Sequence, residues 1–402
     1  MDRLIDKIVL IFITLFIIWV SFFSELLPAH YKFLFFYLLS IFLVFGFVSR
    51  RQLLGNIFSK ENVFFWIYIL AIGIMYILSC CSDSGIQRDI SFFKLIIVAV
   101  PLYLFARYFL NAKNIKYLLF IWVGACVLVS FIGLLEFILG HNFIYENFVK
   151  NYFYKRYIFT HRMMATFVHP NILGAYLLVS LSISSCLKKT PLRKFFYPVF
   201  ILILISILLT FSRGTWLALL AVTFIYSLSK KRVKIISLLI ILFLSFLVFS
   251  EFVPRKTVFS TELHRRFGIR NFLNYFSYSH RTHNYLAGLR MFKAHPITGV
   301  GWGAFRSKLN EYSNLSLYYE IKVSDSVYLM HIAETGFIGS IPFLVLLFLT
   351  LRKRKNNFTP LTFSFTGLLL NFFTFDGFLW ISTLSLFWFL MGVLNNKSIE
   401  NF

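Results

Sequence analysis

Acidic residues are scarce in this chain: 16 Asp and Glu stand against 40 Lys and Arg in 402 residues, and charged residues of both signs make up only 14%. With 59% of residues hydrophobic and a mean hydropathy of +0.77, a soluble domain of this length has no way to hide its apolar surface. Strict apolar/polar alternation is missing, which excludes a β-barrel. No nucleic-acid module is recognisable, so membrane topology is the better explanation for much of the net charge of +24. Cysteine is limited to four residues without metal-type spacing; Cys80 and Cys81 are adjacent, while Cys126 and Cys186 lie in apolar runs and read as packing residues. There is no convincing internal repeat and no low-complexity linker. No small-residue cleavage site follows the first apolar run, Ile8 to Leu27, which therefore reads as a retained membrane helix.

What the chain has instead is long apolar runs rich in its 53 Phe. Runs of spanning length fall near 8–28, 31–49, 63–81, 91–109, 116–139, 171–187, 195–211, 214–229, 233–252, 327–351, 360–375 and 378–395. The expected fold is an all-α polytopic integral membrane protein of about twelve transmembrane helices. Basic residues crowd alternate short connections, such as Arg50, Arg51 and Lys60; Lys188, Lys189, Arg193 and Lys194; and Arg352, Lys353, Arg354 and Lys355. The other set of short connections holds only Lys32, Arg88 and Arg213, so both termini are expected to be cytoplasmic. The two long connections, His141 to His169 and Phe252 to Val323, then face outward. The second holds eleven basic and three acidic residues. Long segments are exempt from the charge rule, so this basic surface favours an anionic ligand. One membrane domain, 1–402, with a loop subdomain at 252–323, describes the organisation.

Several residues stand out chemically. Arg213, in LLTFSRGTWLALL, lies between two apolar runs, where a guanidinium either lines a cavity or snorkels and caps a helix. The neighbouring Ser212 and Gly214 allow a tight turn. Arg281 opens a helical stretch with Tyr285, Leu289 and Phe292 on one face, and Pro296 stops it. The following GVGWG run, Gly299 to Gly303 with Gly301 and Trp302 inside it, either cradles a phosphate with its amides or lets the loop pack tightly. Asp325 marks the return to the membrane, as the cap of the next helix or as a general base; Ser326 is an alternative cap that would leave Asp325 to the site. Arg162 precedes His169, Pro170 and Asn171 at the start of the sixth run and supplies a third basic group. His280 and His283 lack a third ligand at a familiar spacing, so neither a metal nor another cofactor is expected. Lys94 and Glu136 read as snorkelling or loop-facing groups, and His331 is the competing base.

Taken together, HRMMATFVHPNILGAYL (161–177), TFSRGTWLAL (210–219), Arg281 to Tyr285 with HPITGVGWGAF (295–305), and the D-S-x-Y-L…E-T-G segment (325–336) resemble the O-antigen ligase family, which also includes polymerases of O-antigen and other surface polysaccharides. The resemblance implies a periplasmic active site at the bacterial inner membrane. The donor would be a glycan on undecaprenyl diphosphate, and the acceptor lipid A-core or a growing glycan; nucleic acid has no part. It implies that Arg213 and Arg281 bind the diphosphate; Arg162, His169, Asn171, Tyr285, Gly301 and Trp302 are the further candidates for binding the diphosphate or the substrate. Ligases of the family commonly carry a catalytic histidine nine residues before the E-x-G glutamate, whereas here that register falls on Asp325, as in polymerase-like members. A transporter or flippase is the rival class, but it calls for interrupted helices or charges near mid-membrane.

Overall fold

The computed structural model describes residues 2–26, 31, 33–49, 56–59, 62–78, 92, 94–140, 162–229, 280–313, 325–353 and 359–399. Among these, every regular element is helical. Hydrocarbon offers no partner for a backbone N–H or C=O, so continuous apolar sequence satisfies these groups within helices. α1 (Asp2–Ile18) widens into a π-helical turn (Trp19–Phe23); α2 (Leu34–Ser49) and α3 (Val63–Leu78) follow. A second π-turn (Leu95–Ala99) leads into α4 (Val100–Tyr108), then α5 (Ala112–Leu139) and α6 (Pro170–Ile183). Next come α7 (Phe196–Leu209), α8 (Arg213–Ser229), α9 (His280–Ala294), α10 (Phe305–Tyr312), α11 (Val327–Arg352), α12 (Pro360–Asn371) and α13 (Ile381–Leu394).

Among the described residues, five helical stretches are long and apolar enough to cross a membrane: Leu4–Phe23, Ala112–Leu139, Pro170–Lys189, Pro191–Leu209 and Val327–Arg352. The chain is a multi-pass membrane protein. Shorter apolar helices occupy the expected runs near 31–49, 63–81, 91–109 and 378–395. The run at 233–252 lies outside the described residues, as do Cys80 and Cys81. Cys126 is buried and Cys186 half-buried, consistent with packing.

A helix that is apolar all round belongs inside a bundle. α6 and α13 satisfy that rule: all of α13, and all of α6 except Asn171, is buried. α12 packs against both, α4 against α13, α3 against α11, and α8 against α12. The outer helices show bulky apolar residues to the surroundings, for example Ile41 and Phe45, Leu70 and Ile77, and Leu128 and Phe131. Where helices approach most closely, small residues stand at the contact; a Cβ on Gly392 would lie 2.6 Å from the Tyr103 carbonyl oxygen. Hydroxyl contacts tie α6 to its neighbours: Ser21 to Tyr176 at 2.8 Å, the Trp122 indole N–H to Ser180 at 2.9 Å, and Ser182 to Ser364.

The helices alternate between two ends. At one end Glu25 accepts from the Ser382 amide (3.1 Å) and hydroxyl (2.7 Å), so the end of the first span caps α13. There too Glu136 accepts the Ala165 amide at 3.0 Å, and the Lys94 ammonium donates to the Leu379 carbonyl at 2.9 Å. At the opposite end the Asn396 amide donates to the carbonyls of Ala106 (3.0 Å) and Leu110 (2.8 Å), and Asn395 donates to Thr350 Oγ1 at 2.9 Å.

Candidate active site

α7 ends at Thr210, and the chain turns through Phe211 in the left-handed region (φ 48°) before α8 begins. The tight turn is therefore made by Phe211, not by Gly214. The glycine serves a close approach: a Cβ there would lie 2.0 Å from Thr374 Oγ1. Half-buried Arg213 is thus set beside the turn of residues 371–376 that follows α12. Ser212 takes the Thr215 hydroxyl at 2.9 Å at the start of α8. Arg162, buried, braces the same turn by donating from Nε to the Thr210 carbonyl (2.8 Å) and from Nη2 to Asn171 Oδ1 (3.2 Å). His169 caps α6, its Nδ1 accepting the Asn171 amide at 3.0 Å, and its ring lies nearly parallel to Phe375 with centroids 6.5 Å apart.

α9 brings the second arginine to the same turn. Arg281 Nη1 donates to the Thr374 carbonyl at 3.3 Å, and its Nε stands 3.5 Å from Asp325 Oδ1. The two side chains are 28% and 12% exposed, so Arg281 is the more accessible partner of the pair. The Tyr285 hydroxyl lies 3.3 Å from the carbonyls of both Asp325 and Phe373. Burial pushes the Tyr285 phenol above its ordinary pKa; Arg281 opposes the shift and Asp325 adds to it.

The face of α9 that packs on α11 is not the one that carries Tyr285, Leu289 and Phe292. Asn284, Ala287, Gly288 and Met291 are buried against α11, while Leu286 and Leu289 are exposed. A Cβ on Gly288 would approach the Leu329 side chain to 2.9 Å. Close helix contact selects small residues and turns bulky ones outward.

Asp325 itself is buried and left-handed (φ 55°), a conformation Asp tolerates better than most residues but that still carries strain. Ser326 caps α11 by accepting the Leu329 amide at 3.4 Å, and the Val327 amide donates to the Phe372 carbonyl at 3.0 Å. Of the two capping arrangements open in the sequence, the fold adopts the one that leaves Asp325 to the site.

The glycine run is a clamp on α11. Gly299, Gly301 and Gly303 all have positive φ (67°, 107° and 76°). The amides of Val300 and Gly301 donate to the carbonyls of Ala333 (2.9 Å) and Glu334 (3.0 Å), and the Phe305 amide to Glu334 Oε1 at 3.0 Å. In return α11 breaks at Gly336 (φ 55°, ψ −152°), whose following amides, Phe337 and Ile338, reach the carbonyls of Pro296 (2.9 Å) and Ile297 (3.2 Å). The loop thus holds a carboxylate of its own chain with its amides; tight packing, not a phosphate cradle, is the geometry. Trp302 is buried with its ring edge-on to His331, centroids 5.7 Å apart. His331 sits among Tyr68, Trp302 and Phe343, inside the aromatic core.

The turn at 371–376 was not singled out in the sequence, yet Gly214, Arg281, Tyr285 and Val327 all meet its backbone or side chains. It ends in buried Asp376. A lone acid between apolar runs, in TFDGFLW, meets the same criterion that marked Arg213.

Residues 198–344 match the family model described as O-antigen ligase. The chain carries an O-antigen ligase domain. Arg213, Arg281 and Asp325 all fall inside the matched stretch, whereas Arg162, His169 and the 371–376 turn lie outside it. Proteins of this family are glycosyl-transferring ligases and polymerases that act on lipid-linked glycans. No curated protein matches the chain.

Proposed function

We propose that this protein is an inverting, metal-independent glycosyltransferase that moves a glycan from undecaprenyl diphosphate to an acceptor sugar hydroxyl at the periplasmic face of the bacterial inner membrane. The reading is supported most by one arrangement: Arg281 paired with Asp325 at 3.5 Å and hydrogen-bonded to the turn against which Gly214 seats the start of α8. Breaking the anomeric C–O bond leaves negative charge on the departing diphosphate. Guanidinium forks match phosphate oxygens, so Arg213 and Arg281 stabilise that charge as it develops. The acceptor oxygen attacks the anomeric carbon from the opposite face, and its proton passes to the Asp325 carboxylate. The Tyr285 hydroxyl fixes the backbone that presents Asp325. Arg162, His169 and Asn171 hold the α7–α8 turn and the start of α6, while Gly301 and Trp302 shape the wall by fixing α11.

Ligation of O-antigen to lipid A-core is the first reading. Polymerisation of repeat units is the second, favoured by an acid at position 325 where ligases carry histidine. Purified protein should release undecaprenyl diphosphate from a lipid-linked glycan; movement of intact lipid without cleavage would instead identify a transporter. Gene deletion separates the two enzymes. Loss of all capped lipopolysaccharide indicates a ligase, and a single repeat unit on an intact core indicates a polymerase. The outward placement predicts that a cysteine introduced at Asn314 reacts with an impermeant thiol reagent in intact cells while one at Asn356 does not.

A further inference from the structure

α9 descends beside α11. Arg281 stands at Asp325, a Cβ on Gly288 would meet the Leu329 side chain, the rings of Phe292 and Phe337 lie 5.2 Å apart, and the Pro296 and Ile297 carbonyls accept the Phe337 and Ile338 amides. From its first turn to the glycine loop, the chain thus follows α11 from Asp325 down to Ile338. α11 has 26 residues, about 39 Å at about 1.5 Å each, whereas the hydrocarbon of a bilayer is about 30 Å thick. Arg352 and Lys353, charged and exposed, mark one boundary, so the other falls about twenty residues away, at Ile332. Pro296 and Ile297, level with Gly336 to Ile338, lie below that line, inside the hydrocarbon. Non-helical backbone is tolerated there only where protein takes up its polar groups. The loop meets this condition: besides the two carbonyls above, the Gly299 amide donates to the His295 carbonyl (2.8 Å), the Val300 amide to Ala333 and the Gly301 amide to Glu334.

We infer that the turn joining α9 to the glycine loop is inserted among the acyl chains of the membrane, with Ile297 at its tip, and anchors α9 against the bilayer. The occupant is lipid because the tip continues a lipid-facing surface. Ile297 is 65% exposed, and Phe337, Ile338, Ile341, Leu344 and Phe348, beside it and below it, form the exposed apolar face of the spanning helix. The polar groups near the tip have other outlets. His295 Nε2 lies 3.1 Å from the Tyr312 hydroxyl, and Lys293, one turn back, is long enough to extend its ammonium to the headgroups. Because Arg281 opens α9, the anchored tip fixes Arg281 and Asp325 roughly 10 Å above the boundary, at headgroup depth. This placement depends on α11 crossing the membrane and not on the glycan chemistry of the site.

The test places purified full-length protein in phosphatidylcholine nanodiscs, with the photo-crosslinking residue p-benzoylphenylalanine replacing Ile297, Ile341 within the span, or His283 in the first turn of α9. Phospholipid adducts, identified by mass spectrometry, should form at the first two positions and be roughly tenfold fewer at the third. Hydroxyl-radical footprinting of the unmodified protein in the same nanodiscs gives the reading without a bulky probe: His283 should be oxidised and Ile297 spared, although protein leaves most of Ile297 uncovered. Adducts from position 341 but not from 297, or oxidation of Ile297 as readily as of His283, would overturn the insertion. Equal adduct yields at 283 and 297 would lay the whole of α9 along the membrane surface, and crosslinks from 297 to a second copy of the chain would give the exposed face a protein partner; either result would also overturn it.

Discussion

The two ends of the bundle solve the same problem, the termination of buried helices, in different ways. At the basic end the work is done by neutral amides: Asn62 donates to the carbonyls of Asn56 (3.1 Å) and Ile57 (2.7 Å), Asn111 caps α5, and Asn395 and Asn396 reach across to neighbouring helices. At the other end lie the five acids that are buried among the described residues, Glu25, Glu136, Asp325, Glu334 and Asp376. So do all the left-handed residues among those described, from Gly140, Ala165 and Phe211 to Asp325 and Gly336. Three of these acids, Glu25, Glu136 and Glu334, accept backbone amides from a distant segment. They anchor irregular backbone, whereas Asp325 is joined to Arg281 at 3.5 Å. Strained backbone persists only where its surroundings over-determine it, and here those surroundings are the walls of the candidate site.

The sharpest way to break this contrast is to remove the proton acceptor while keeping its shape. Asp325→Asn should cut glycosyl transfer about a hundredfold to ten-thousandfold while donor binding and folding persist. Asp325→His, which restores the residue usual in ligases, should keep part of the activity. If Asp325→Asn turns over normally and His331→Ala is dead, the base lies in the aromatic core and the division of acids drawn above collapses.

Next in size are Arg213→Lys and Arg281→Lys, which keep charge but lose the fork; each should lower turnover by roughly tenfold to a hundredfold. Near-normal rates for both at wild-type expression would reduce the arginines to generic attraction. A structural contrast follows from Gly336, whose dihedrals are open in practice only to glycine and where a Cβ would lie 2.4 Å from the Ile297 carbonyl oxygen. Gly336→Ala should destabilise by about 1–3 kcal/mol and release the glycine loop, seen as faster amide exchange at Val300 and Gly301. Protection equal to wild type at those amides would show that the clamp does not depend on the break. The smallest effect on function belongs to the basic end: Asn62→Ala should cost about 1–3 kcal/mol of stability through two abandoned carbonyls yet leave turnover per folded molecule unchanged. A matching loss of turnover would couple the two ends.

Legibility followed the range of the interactions involved. The apolar runs, the prominence of Arg213, Arg281 and Asp325, and the possibility that Ser326 caps α11 all rest on neighbours within a few residues; among the described residues the runs are helical, Ser326 is the cap, and Arg281 pairs with Asp325. The function of the glycine run and the buried face of α9 depend on which partner each surface meets. There the sequence left open what Glu334 and Leu329 decide.

By itself, then, the sequence determined that this chain resides in a membrane as helices, because hydrocarbon length and backbone satisfaction are properties a single strand of text displays. It also displays motifs, spread from 161 to 336, that resemble the O-antigen ligase family, whose model matches residues 198–344. Only the tertiary structure decided that residues as distant as 214, 281, 325 and 374 share one turn, and that the amides of the glycine loop are taken up by Glu334. The reason is that a carbonyl or an amide looks the same at every position of a sequence, and its partner is chosen by packing across helices far apart in the chain.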